Sequence, residues 1–285
     1  MLKIVEKTKI WFAISSIVII VGLGFMFTRG LNFGIDFSGG TIIAVDMGSE
    51  FDKTKADDIV KTYDVNAVTT VAGGTEYDIK SNVITSDNYD QVFDELKTEF
   101  NLEDTALLSA ESTGASIGSE TKVKALIAIG VATLLMLLYI GIRFEFKFGL
   151  AAILALLHDV LITLAVYAIF YIPVNASFVA AMLTIIGYSI NDTIVVFDRI
   201  RENVKKMRKS EISEVTNKSI TQTITRSVFT VVTTLFTILS VLILVPSVRD
   251  FSLPLTIGIV SGCYSSIFIA SPFWVILKNK KGKTA

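Results

Sequence analysis

Six stretches of the chain are long and apolar enough to cross a bilayer: about 10–28, 125–142, 148–172, 177–197, 220–245 and 251–277. A spanning helix needs about 20 predominantly apolar residues, and a water-soluble core helix rarely sustains such a run. The pattern therefore predicts a polytopic α-helical membrane protein with six transmembrane helices. Lys3, Lys7 and Lys9 precede the first run as in a secretory signal. That run is too long for a signal core and no small-x-small cleavage site follows it, so it reads as an uncleaved anchor.

Between the first and second runs the periodicity changes. Residues 29–122 are polar and contain no proline. Thr41–Asp46 is a β-rich run after Gly39-Gly40, and Lys53–Tyr63 places Ala56, Ile59 and Val60 at helical spacing. Asn66–Val71 and Tyr77–Ile84 are β-branched runs joined through Gly73-Gly74, as a hairpin requires. Asp87–Phe100 puts Tyr89, Val92, Phe93 and Leu96 on one helix face, and Ala106–Ala110 is a last short strand. The order β-α-β-β-α-β predicts one extracytoplasmic α+β domain of ferredoxin-like type after the first helix. The expected division is 1–28 (N-terminus and first span), 29–122 (that domain) and 123–285 (five further spans). Gly30, Gly34, Gly39 and Gly40 at one end and Gly114 and Gly118 at the other are candidate hinges. The domain is either a surface cap or a sheet edge that handles extended polypeptide; composition does not separate the two.

Composition sharpens this picture. The 285 residues are 52% hydrophobic and 19% charged, against about 25% charged in soluble domains. That excludes a soluble globular enzyme, and no catalytic constellation suggests another kind of enzyme. The net charge of −1 hides an asymmetry: residues 29–124 hold 18 acids against 8 Lys and Arg, so nucleic acid is not an expected partner. There is no His/Cys cluster and no phosphate-binding glycine loop, so no metal and no cofactor are expected. Lys and Arg concentrate in the N-terminus, in Arg143 and Lys147, in the 198–219 loop, and in Lys278, Lys280, Lys281 and Lys283. By the positive-inside rule both termini are cytoplasmic and the acidic domain is outside.

Polar residues inside the spans carry the candidate chemistry, because a charge at mid-helix costs at least about 2.5 kcal/mol and tends to face protein or water. Span four carries Asn191, Asp192 and Thr193. In span five Ser219, Thr223, Arg226, Thr230, Thr233 and Thr237 follow one another at intervals of four, three, four, three and four, a single helical face. Asp192 and Arg226 fall at similar depth and could pair. Such a pair is either a buried register-fixing contact or a protonatable acid gated by a cation beside a wet groove. His158 and Asp159 lie near mid-depth in span three, where packing and proton handling are both open. Gly258-x-x-x-Gly262 is a close helix-packing face.

The motifs together resemble one family. Gly34-Ile35-Asp36-Phe37-Ser38-Gly39-Gly40 is similar to the signature of the SecD/SecF protein-export membrane proteins, and His158-Asp159 resembles the His-Asp pair of the SecF branch. Gly187-Tyr188-Ser189-Ile190-Asn191-Asp192-Thr193, running into Val195-Val196-Phe197-Asp198-Arg199-Ile200-Arg201-Glu202-Asn203, resembles that branch's fourth-span motif. Gln222-Thr223-x-Thr225-Arg226-Ser227 with Thr233-Thr234-Leu235 resembles its fifth-span motif. The resemblance covers essentially the whole chain. It implies a membrane part built like the resistance-nodulation-division exporters, in the cytoplasmic (inner) membrane. The implied partners are SecD, the Sec translocation channel, unfolded exported polypeptide and the lipid bilayer. The implied role is use of the proton motive force to assist export, with the key acid and arginine falling on Asp192 and Arg226. A non-conducting scaffold joining SecD to the channel is the competing reading, and sodium remains open as the coupling ion. Half of a small-molecule exporter fits less well, since there is one external domain and only six spans.

Overall fold

The computed structural model describes residues 1–143 and 145–280; Lys281 and Lys283 lie outside the described residues. Among the described residues six helical segments are long and apolar enough to span a membrane: Val5–Arg29, Ser116–Ile142, Phe146–Phe170, Ala176–Lys206, Ile212–Leu244 and Pro246–Asn279. They overlie the six apolar runs. The fourth runs on to Lys206 and the fifth begins at Ile212, because a helix is not obliged to stop where its hydrophobic stretch does. The chain divides into two compact units.

The first unit comprises residues 1–32, 128–172 and 177–285. It is built from α1 (Thr8–Arg29), the second half of a long helix that starts at Ala115, and the helices of the later spans. Its core is aromatic at one end, where Phe148 stacks on Trp274 with ring centres 4.7 Å apart and meets Phe197 at 4.8 Å. Elsewhere small residues let helix backbones approach, as membrane interfaces favour. A Cβ on Gly22 would lie 2.2 Å from that of Ala165, and one on Gly258 would lie 2.2 Å from Ile185 Cδ1. Gly262 faces Ser189. The Gly258-x-x-x-Gly262 face is thus a packing face, as its spacing predicts.

The second unit comprises residues 33–127 and 173–176. A four-stranded sheet runs in the order β2-β3-β1-β4, with β1 Gly40–Asp46, β2 Val68–Ala72, β3 Glu76–Ser81 and β4 Leu107–Thr113, and every neighbouring pair is antiparallel. Strands β2 and β3 form the expected hairpin, whose Gly73 and Gly74 both take positive φ. Two helices, Lys53–Tyr63 and Tyr89–Phe100, share a core with the sheet in which Ile43, Val45, Tyr77, Ile79, Val60, Val92 and Leu96 are fully enclosed. A polar cluster ties the first of these helices to β2 and β3. Asp57 accepts from Lys53 Nζ at 2.6 Å, Thr69 Oγ1 at 2.6 Å and Tyr77 Oη at 2.7 Å. Burial pushes the Asp57 carboxyl up, but these three donors more than offset it and hold the group below its ordinary value. Burial and the bond to Asp57 push the Tyr77 hydroxyl far up in turn.

The hinge expectation for the glycines needs correction. A Cβ at Gly40 would sit 2.3 Å from Ser81 O, and one at Gly118 would sit 2.8 Å from Phe37 O. Gly34 is hemmed by Val174 O at 3.3 Å. These three are glycines because backbone passes close by. Only Gly30 and Gly114 stand in open space among the positions singled out for which clearance is given.

Candidate functional site

Asp192 sits in the fourth-span helix, α7 (Ala176–Lys206), facing the fifth, α8 (Ile212–Leu244). The sequence suggested an ion pair with Arg226. The structure brings the two helices together at that level, but Asp192 Oδ1 accepts from Ser227 Oγ at 2.5 Å, and no ion pair joins Asp192 to Arg226 among the described residues. One residue along α8 turns the side chain by about 100°, so Ser227 points inward, buried, while Arg226 is exposed on the outside of this unit. Spacing along one helix fixes which residues share a face, not which face turns to a neighbour. Asp192 Oδ2 is buried and has no hydrogen-bond partner among the described residues.

The later part of the span-five stripe follows Arg226 outward, whereas Ser219 and Thr223 at its start are buried. Thr230, Thr233 and Thr237 are exposed, and their hydroxyls bond to carbonyls of their own helix three or four residues back. Asn191 is likewise exposed. The inward polar contacts between α7 and α8 are made instead by Tyr188, whose hydroxyl lies 3.0 Å from Thr234 Oγ1, and by residues at the other end of the pair. There Asn203 Nδ2 donates to Ser219 Oγ and Gln222 Oε1, and Arg199 Nε donates to the same Gln222 oxygen. Asn217, fully enclosed, accepts from the backbone of Ile4 and Val5 and donates to Glu6. The chain's first residues are thereby fixed against α8.

Thr193, one residue beyond Asp192, is buried and its hydroxyl lies 2.8 Å from Ser266 Oγ in the sixth span.

His158 and Asp159 lie in the third-span helix, α6 (Phe146–Phe170), and form a second centre. Four donors converge on the Asp159 carboxylate. His158 Nδ1 at 3.0 Å and Ser261 Oγ at 2.6 Å meet Oδ1; Ser189 Oγ at 2.6 Å and Ser265 Oγ at 2.7 Å meet Oδ2. The other imidazole nitrogen reaches Ser15 Oγ of α1 at 2.8 Å. Three helices thus meet on one carboxylate that is 1% exposed, and His158 ties α1 to them as a fourth. Its partners could not be found from the sequence. A single serine in an apolar span is common, and only the three-dimensional crossing brings Ser15, Ser189, Ser261 and Ser265 together.

The glycine motif after the first span acquires a geometry as well. Ile35–Ser38 is one short helical turn, α2, with Ile35 and Phe37 buried. Gly34 N donates to Val174 O at 2.8 Å, and Asp36 Oδ2 accepts from Ala176 N, the first residue of α7, at 2.7 Å. A carboxylate at a helix N-terminus satisfies an otherwise open donor and suits the helix dipole. Gly39 and Gly40, both at positive φ, carry the chain from that turn into β1. Among the described residues no group of three or more His, Cys, Asp or Glu side chains could hold a metal ion.

Comparison with known proteins accounts for both the motifs and the fold. Residues 91–280 match the profile described as protein export membrane protein SecD/SecF, C-terminal, and residues 24–46 match the SecD/SecF GG motif. The protein translocase subunit SecF of Sebaldella termitidis is 38% identical over 98% of this chain and 93% of its own length. The protein translocase subunit SecDF of Bacillus subtilis is 33% identical over 98% of this chain, which spans 38% of that longer protein. Among solved structures, SecDF from Thermus thermophilus, a translocon-associated membrane protein, superposes with a TM-score of 0.82 at 35% identity. That alignment covers 98% of this chain, which spans 39% of the SecDF chain.

Proposed function

Since the chain belongs to the SecD/SecF family of protein-export membrane proteins, we propose that it is a Sec translocation subunit that pairs with SecD and couples an ion gradient, in the first instance of protons, to the export of unfolded polypeptide. The observation that carries the coupling is the state of Asp192. It is a carboxylate inside a span with one oxygen bonded to Ser227 and the other buried without a partner among the described residues, which leaves that oxygen to take up a proton. Asp159 differs, since four donors already occupy both its oxygens. The proposed proton pathway centres on Asp192 and Thr193, with Arg226 as the permanent charge beside it. Asn191, Thr230 and Thr233 lie on its outer side, and the His158–Asp159 pair belongs to its deeper part. Each charge that crosses carries about 2.3 kcal/mol per 100 mV, enough to bias a two-state movement.

The outward stripe of α8 supports a helical partner. A guanidinium and a row of threonines facing lipid would be costly, and a second subunit's helix with an acidic or polar face would relieve that cost. SecD, fused to a matching segment in the SecDF relatives, fits that description; the Sec channel, translocating polypeptide and lipid are the remaining proposed contacts. In this reading both termini are cytoplasmic. Residues 29–122 form a ferredoxin-like domain outside the cytoplasmic membrane, which the strand order β2-β3-β1-β4 with two helices supports. Segments 1–28 and 123–285 hold the spans.

The test compares Asp192→Asn with the unaltered chain, each assembled with SecD in inverted vesicles. The expected result is a stable complex that has lost gradient-driven proton uptake and export stimulation. Normal stimulation by Asp192→Asn would leave the non-conducting scaffold as the function.

A further inference from the structure

The sixth span is not one regular helix. Helix α9 (Arg249–Ser265) passes into a π-helical turn over Ser266–Ala270, and α10 (Ser271–Lys280) follows. Pro272 explains the break: it has no N–H to give to the preceding turn and is at home only near a helix start. Ser271 Oγ covers part of the deficit by donating to Ser266 O at 2.9 Å. A wider turn of this kind is rare and gathers at functional positions.

The two serines at its entrance serve different carboxylates. Ser265 Oγ belongs to the Asp159 centre. Ser266 Oγ lies 2.8 Å from Thr193 Oγ1, on the residue after Asp192, and donates to Gly262 O at 2.9 Å; it neighbours the Asp192 carboxyl without a hydrogen bond to Oδ2. A hydroxyl has one proton to give and two lone pairs. With Thr193 donating to it and its own proton on Gly262 O, Ser266 keeps one lone pair free. That is what a protonated Asp192 Oδ2–H needs as acceptor. The ionised carboxylate needs the opposite, a donor, and an orphaned buried oxygen is costly. Ser266 can supply it by turning its O–H away from Gly262 O, which keeps the bond from the Ser266 backbone N–H. The other titratable or charged groups near Asp192 are Arg226 of α8, whose side chain is exposed on the outer side, and the Cys263 thiol of α9.

We propose that Ser266 is the positioning residue for Asp192, exchanging its hydroxyl between Gly262 O and Asp192 Oδ2 as that acid gains and loses a proton, with the π-helical turn providing the freedom to do so. The inference rests on the reading of Asp192 as the proton carrier. The exchange converts a proton on the fourth span into a hydrogen-bond change on the sixth, one residue from the Asp159 centre.

The experiment is infrared difference spectroscopy of the full chain with SecD in proteoliposomes, between a protonating and a deprotonating pH, alongside proton uptake. Asp192→Asn identifies the carbonyl band of protonated Asp192. Ser266→Ala should move that band to higher frequency, because the acid loses its acceptor, and slow uptake several-fold; Ser266→Thr should restore both. Thr193→Val removes the competing donor, and should shift the band the opposite way. A band unmoved by both Ser266→Ala and Thr193→Val overturns the inference and leaves Asp192 as carrier. Absence of any band sensitive to Asp192→Asn overturns the carrier reading and this inference with it.

Discussion

Three aspartates differ in what surrounds them, and that decides what each can do. Asp159 is saturated by four donors, Asp192 is half satisfied, and Asp57 in the extramembrane unit holds a lysine, a threonine and a tyrosine at once. For Asp57 the consequence is measurable. Its folded-state value is lowered, so the stabilisation it provides is complete above the unfolded value of about 3.9 and is lost as the pH falls through the lower, folded one. Asp57→Asn should cost about 1–3 kcal/mol at neutral pH, because Lys53 loses its counter-charge and would meet an amide N–H donor, or the two hydroxyls would, in place of a carboxylate oxygen. The same change should flatten the loss of stability below about pH 4. Hydrogen exchange of the β2–β3 hairpin in the full chain reads both effects, and unchanged protection at pH 7 would contradict them. At this scale the sequence was informative about which residues are unusual and silent about their partners. Asp192 and Arg226 stand out in apolar runs, yet Ser227, which makes the contact, looks like any span serine.

Elements were more legible than contacts. The β-rich run Thr41–Asp46 and the helical spacing over Lys53–Tyr63 are reproduced within a residue, because each reflects which side chains enter the shared core. The single turn Ile35–Ser38 was not foreseen, since four residues are too few to show a period. The π-helical turn was equally hidden: Pro272 marks a break in the helix but not how the chain absorbs it. Two glycines of α1 offer a matched test of helix packing. A Cβ on Gly22 would meet Ala165 Cβ at 2.2 Å and its Cα at 2.4 Å, whereas nothing lies within 4 Å of one on Gly24. Gly22→Ala should therefore force α1 from α6 and cost about 1–3 kcal/mol. Gly24→Ala should be neutral or stabilising by up to about 1 kcal/mol, from helix propensity alone. Thermal unfolding of the purified chain compares them, and Ala165→Gly should rescue the first. Equal melting temperatures for the two variants would mean that this contact does not set the packing.

At the scale of the whole molecule, six spans were legible because a bilayer imposes a length that few other environments ask for. Which helix faces look inward was not legible, because lipid and protein interior are both apolar. The polar exception is the face of α8 that carries Arg226, Thr230, Thr233 and Thr237 to the outside of this unit. Its consequence reaches beyond transport, to how much of the protein a cell can keep. A subunit made without its partner would present a bare guanidinium to the bilayer, a feature by which quality-control proteases can tell an orphan from an assembled chain. Supply of the two subunits would then balance itself, the excess of one being removed. Pulse-chase measurement of the chain made alone should give a half-life several-fold shorter than with SecD, and Arg226→Leu should lengthen the lifetime of the orphan without altering that of the pair. Equal lifetimes with and without SecD would show that the membrane tolerates the bare face.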